Sequence, residues 1–126
     1  MKETNRIWLL WCLLLLVAFA CDYKYITPDE GEPIDPEEPI SFSEEVEPIW
    51  TTQNCTNCHN GSGLFSLRES EAYQSLINNG LLDLDNADNS KIATVPGSGS
   101  IHANYTYVGN QKLLITTWIE QGAEDN

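Results

Sequence analysis

The chain has 126 residues, with 6 Lys and Arg against 19 Asp and Glu and a formal net charge of −13. So acidic a surface excludes nucleic-acid binding and adsorption to anionic membranes, both of which need basic surface. It favours solubility and, for a protein partner, a basic patch on that partner.

The first element is not read as fold. Lys2, Glu3 and Arg6 precede an unbroken apolar run of 14 residues from Ile7 to Ala20. A bilayer-spanning helix needs about 20 residues, so a charged start and a short apolar core predict a secretory signal. Ala18-Phe19-Ala20 satisfies the small-x-small cleavage rule, and Cys21 follows at once. A cysteine there resembles the lipobox of bacterial lipoproteins, although Ala18 and Phe19 stand where Leu and a small residue are usual. The expectation is a lipoprotein-type signal over residues 1–20, with Cys21 as lipid anchor; plain secretion with a free Cys21 is the other reading. The lipoprotein reading puts the protein at the bacterial cell envelope, tethered to a membrane and facing periplasm or cell surface. Without residues 1–20 the chain keeps 4 basic and 18 acidic residues, a net charge of −14.

Residues 21–40 come next. From Asp22 to Ile40 they hold seven acidic residues, four prolines and one glycine. Such a stretch has too little apolar surface to offset its ordering entropy, so it is expected to be a solvated tether. Extended like polyproline, it reaches on the order of 60 Å.

Residues 41–126 are the expected folded domain, of a size at which chains often need a staple, metal or cofactor to complete the core. Phe42, Val46, Ile49 and Trp50 recur at helical spacing, Ser41 with Glu44 forms a capping-box pattern, and Pro48 is expected to kink the turn it enters. A second helix is expected from Leu67 to Asn79, starting at Ser66 and Glu69, stopped by Gly80, with Ala72, Tyr73, Leu76 and Ile77 as its apolar stripe. A short helix over Ser90–Thr94 precedes the loop VPGSGSIHAN. The last helix is expected over Gly109–Gln121, burying Leu114, Ile115, Trp118 and Ile119. Only Leu64–Leu67 hints at a strand. The fold class is therefore small and all-α, with three to four short helices.

Chemistry concentrates in Cys55-Thr56-Asn57-Cys58-His59. On a helical turn, thiols at i and i+3 face the same way, so each can form a thioether with one haem vinyl group. The adjacent His59 then offers its imidazole to the iron. Export fits, because c-type haem is joined after translocation. Zinc is a rival, but a structural site needs four ligands and only His59 and His102 supplement the thiols. A thioredoxin-like dithiol expects a βαβ setting that is missing here, and a Cys55–Cys58 disulfide with a bystander histidine is the bland alternative. Haem explains the most.

The domain also resembles a small class I type cytochrome c domain, in particular planctomycete-type cytochrome c domains and single-haem lipoproteins of bacteria. The resemblance rests on ISFSEEVEPIW, CTNCH, the LFSL and AYQSLINNG segments, and LLITTWIEQGA, and covers about residues 41–125. It implies that the first and last helices cross, bringing Val46, Ile49 and Trp50 toward Leu114 and Trp118. One covalent haem c is implied, held by Cys55 and Cys58 with His59 as proximal ligand. Many such domains use a methionine as distal ligand, yet the one methionine here is Met1. His102 stands 43 residues after His59, directly before the last helix where the distal ligand usually sits. It is the expected substitute; an open sixth site, or one filled by Lys91, Lys112 or water, is the alternative. Trp50, Phe65, Tyr73 and Trp118 are candidates for the haem crevice or for plain core.

These readings converge on an envelope-anchored monohaem cytochrome that carries one electron at a time between redox proteins, rather than an enzyme. Two alternatives stand: a haem-based sensor or peroxide-reacting protein with an open sixth site, and a non-haem binding lipoprotein whose Cys55 and Cys58 form a disulfide.

Overall fold

A computed structural model describes residue 31 and residues 33–126. The expected signal and Cys21 lie outside the described residues, as does most of the expected tether. In chain order the structure has a wide π turn (Phe42–Val46), α1 (Glu47–Thr52), a 3-10 turn (Cys55–Asn57), α2 (Ala72–Asn78), a second 3-10 turn (Ala87–Asn89), α3 (Lys91–Thr94), α4 (Gly99–His102) and α5 (Gln111–Glu120). Among the described residues there is no strand, only an isolated bridge between Asn60 and Ser66, so the hint at Leu64–Leu67 comes to no more than that. No described helix is long and apolar enough to cross a membrane.

The start of the domain follows from its sequence with one shift. Ser41 Oγ accepts from the Glu44 N–H at 3.3 Å, but the returning carboxylate is that of Glu45, whose Oε2 accepts from the Ser41 N–H at 2.7 Å. The turn is one residue wider than an α-turn: the Val46 N–H reaches Ser41 O at 3.3 Å, and the Glu47 N–H reaches Phe42 O. Pro48 has no N–H, and in a regular helix its ring would crowd the Glu44 carbonyl four residues back. The wide turn takes up this conflict at the place where a kink was expected. Phe42, Val46, Ile49 and Trp50 are all buried as the spacing predicted.

Phe42 is the centre of the core. Its ring lies 5.0 Å from Trp118, 5.4 Å from Tyr73 and 5.9 Å from Trp50, which joins the first and last helical segments. Ile115, Trp118 and Ile119 of α5 are sealed, while Leu114 is half-buried. Asn126 closes the other side: its Oδ1 accepts from the Phe42 N–H and its carbonyl from the Ser43 N–H, two orphan donors of a first turn.

The second helix departs from expectation at its start, not at its end. Helix α2 begins at Ala72 rather than Leu67, because Ser70 sits in the left-handed region at φ 62° and interrupts the winding. Buried Glu47 holds that turn, its Oε1 accepting from the Ser70 N–H at 2.9 Å. Ser66 does not pair with Glu69; its hydroxyl donates to Glu71 Oε2 at 2.6 Å. Gly80 stops the helix as expected: at φ +58° it lets the Leu81 N–H reach Leu76 O and its own N–H reach Ile77 O. Ile77, assigned to the apolar stripe, is 47 % exposed.

Helix α4 stands where a loop was expected, α3 is one residue shorter than read, and α5 is three residues shorter. The packed unit also reaches upstream of Ser41. Ile40 is buried and Ile34 half-buried against the core. Gln121 clamps this segment, donating from Nε2 to Pro36 O and Glu38 O while its Oε1 accepts from the Ile40 N–H.

Candidate functional site

The Cys55–Asn57 turn is entered through Asn54, left-handed at φ 60°, a conformation asparagine adopts more readily than most residues. The Cys58 and His59 N–H groups both return to Cys55 O, at 3.2 and 2.9 Å, winding the motif into one tight turn. Cys55 and Cys58 therefore border the same cavity, as their spacing predicted. Both are free thiols, Cys55 half-buried and Cys58 exposed. Burial pushes the Cys55 thiol up from its ordinary value, with the Cys58 charge adding to the effect and a backbone contact opposing it.

His59 is fixed from two sides. Its carbonyl accepts from the Leu67 N–H at 2.9 Å, and its ring packs on Phe65 with centroids 4.2 Å apart. Nδ1 is buried and has no hydrogen-bond partner. Burial lowers the imidazole's pKa; the Phe65 backbone pulls it back up without a well-formed hydrogen bond, and the charge of His102 lowers it further. The ring is thus held neutral at pH 7, the form that ligates metals.

The cavity measures about 400 Å³, within the range of small-molecule and cofactor sites, and its walls are almost wholly apolar. Both cysteines, His59 and His102 line it together with Trp50, Phe65, Leu67, Leu81 and Ile92. Tyr73 and Trp118 belong to the aromatic core instead, and Lys112 stands away from the cavity while Lys91 lines it. The mouth is apolar too: Ile101 is 79 % and Leu64 54 % exposed there.

His102 ends α4 on a loop tied by its own backbone. The Gly97 N–H is shared between His102 O (3.0 Å) and Tyr105 O (2.8 Å), and the Tyr105 N–H also reaches His102 O. Gly97, at φ +78°, is needed for this turn, and an added Cβ would press on Thr106 Oγ1 at 3.2 Å. The His59 and His102 rings face one another with centroids 6.1 Å apart and planes within 16° of parallel. Among the described residues no three His, Cys, Asp or Glu side chains converge as a metal-holding cluster.

No family model, curated protein or solved structure matches the chain.

One wall residue was missed in the sequence. Tyr107 donates its hydroxyl to Ile92 O at 2.9 Å and accepts from Trp50 Nε1 at 3.2 Å. The Ile92 carbonyl needs this donor, because the residue four places on is Pro96, which has no N–H. Tyr107 thereby ties α3 to α1 behind the cavity, and burial drives its phenol far above the ordinary range. The readable signal was Pro96 at i+4 from a buried carbonyl, with an aromatic hydroxyl downstream.

Proposed function

We propose that the protein is a monohaem c-type cytochrome, anchored at the cell envelope through Cys21, that passes single electrons between redox partners. The observation that carries this reading is the pair of near-parallel imidazoles facing each other beside an apolar cavity bordered by both thiols. Both rings border that cavity, so a group lodged in it lies within reach of both imidazoles. The apolar walls and the exposed apolar mouth fit a flat hydrophobic group that would cover them.

In this reading Cys55 and Cys58 would hold the haem by thioethers, and His59 and His102 would ligate its iron. The bound haem supplies an iron that takes up and returns one electron. The chain's own residues do the rest. The Cys55 turn and the Phe65 ring hold His59 in place, and the Gly97 turn presents His102. Trp50, Leu67, Leu81 and Ile92 exclude water from the buried face. Two histidines in place of His and Met set a low potential, since methionine raises it. The acidic surface steers encounters toward partners bearing basic patches.

The test is the optical spectrum of protein produced with a c-type maturation system. A six-coordinate low-spin iron that ignores carbon monoxide is expected, and His102→Ala should turn it high-spin and open to carbon monoxide. Rapid carbon monoxide binding by the unaltered protein would favour the open-site reading instead.

A further inference from the structure

The cavity wall is apolar almost throughout, yet Lys91 is part of it. Only Arg68, Lys91 and Lys112 are cationic among the described residues, against many carboxylates. Lys91 nevertheless forms no ion pair among the described residues, although Asp83, Asp85 and Asp88 all lie within eight positions of it. Its backbone is not free to drift. Ser90 before it is 1 % exposed, its hydroxyl accepting from the Asp83 N–H at 2.8 Å. Ile92 after it is buried, its N–H donating to Leu81 O and its carbonyl accepting from Tyr107. A lysine fixed this way can lay its methylene stem on the apolar wall and hold its ammonium at the edge.

An apolar chamber with one cation at its border is complementary to a ligand with an apolar body and an anionic group on its rim. We propose that Lys91 receives a carboxylate carried by the ligand of this cavity. The proposal rests on the haem reading, in which that carboxylate is a porphyrin propionate.

The test uses haem-loaded protein with Lys91→Gln, Lys91→Glu and Lys91→Arg, and measures midpoint potential between pH 5 and pH 8. Lys91 is exposed, so these changes leave the core intact. Loss of the ammonium unmasks negative charge near the iron and favours the oxidised form. Lys91→Gln should therefore have a lower midpoint potential than the unaltered protein. Lys91→Glu should fall further, and Lys91→Arg should stay near the unaltered value. The pH-dependent step in the potential should move upward in Lys91→Gln, because a carboxylate without its cation holds its proton more tightly. Potentials and pH profiles unchanged in both Gln and Glu variants would overturn the proposal while leaving the haem reading intact. A change of spin state on losing Lys91 would make it an iron ligand and overturn the proposal as well. Absence of covalent haem from the unaltered protein would overturn both.

Discussion

Replacing Tyr107 by Phe removes one oxygen atom and no carbon, so it isolates the hydroxyl that ties α1 to α3. Two bonds are lost: Trp50 Nε1 to Tyr107 Oη at 3.2 Å, and Tyr107 Oη to Ile92 O at 2.9 Å. Trp50 is 0 % exposed, so its N–H is left without water and costs about 1–3 kcal/mol. The Ile92 carbonyl cannot turn to Pro96 for a donor, and its lost bond adds about 0.5–1.5 kcal/mol. The variant should therefore lose about 1.5–4.5 kcal/mol, a fall in Tm of roughly 6–36 °C for a domain of this size. Urea unfolding of both haem-loaded proteins, followed by far-ultraviolet circular dichroism, gives the difference directly. A loss below about 0.5 kcal/mol with unchanged m would refute the reasoning, since that is the effect of an ordinary surface change.

Glu47→Gln tests the buried carboxyl that holds the Ser70 turn. Burial raises the Glu47 pKa above its ordinary 4.5, with Glu69 and Asp125 adding to the effect and the Ser70 N–H opposing it. Glu47 thus stabilises the fold fully below pH 4.5 and loses that contribution as pH rises through the raised value. The stability of Glu47→Gln relative to the parent should climb from pH 4 to pH 7; a flat or falling difference would remove Glu47 from this role. Gly80→Ala places a Cβ at φ +58° with nothing within 4 Å, so only left-handed strain of about 1–2 kcal/mol is expected. A larger loss in the same urea experiment would mean that Gly80 does more than end the helix. His102→Ala should lower the urea stability of the haem-loaded protein as well as altering its spin state, because the proposed bond from His102 to the iron forms only in the folded chain.

Sequence reading was strongest where one residue carries one physical demand. The Phe42, Val46, Ile49 and Trp50 spacing, the stop at Gly80 and the buried Trp118 all follow from local rules. It failed where a distant group decides. The stripe from Leu67 looks helical, but Glu47, from another helix, holds Ser70 in a left-handed turn and delays α2 to Ala72. Ile34 and Ile40 look like part of a solvated stretch until Gln121 clamps the backbone around them. At the site, spacing alone predicted that Cys55, Cys58 and His59 share one turn. His102 was reached by position and elimination, and only the fold sets its ring 6.1 Å from that of His59. Tyr107 and Lys91 border the cavity through contacts 15 to 57 residues apart or through a helix edge, which no local pattern reveals.

The proposed electron-transfer role depends on covalent haem at Cys55 and Cys58. Protein made with a c-type maturation system, run on a denaturing gel and stained for haem, tests it most directly. A haem-positive band at the mass of the mature chain is expected, weakened or absent in Cys55→Ser. A band that stays haem-negative, with both thiols still free to alkylation or joined as a disulfide, would contradict it.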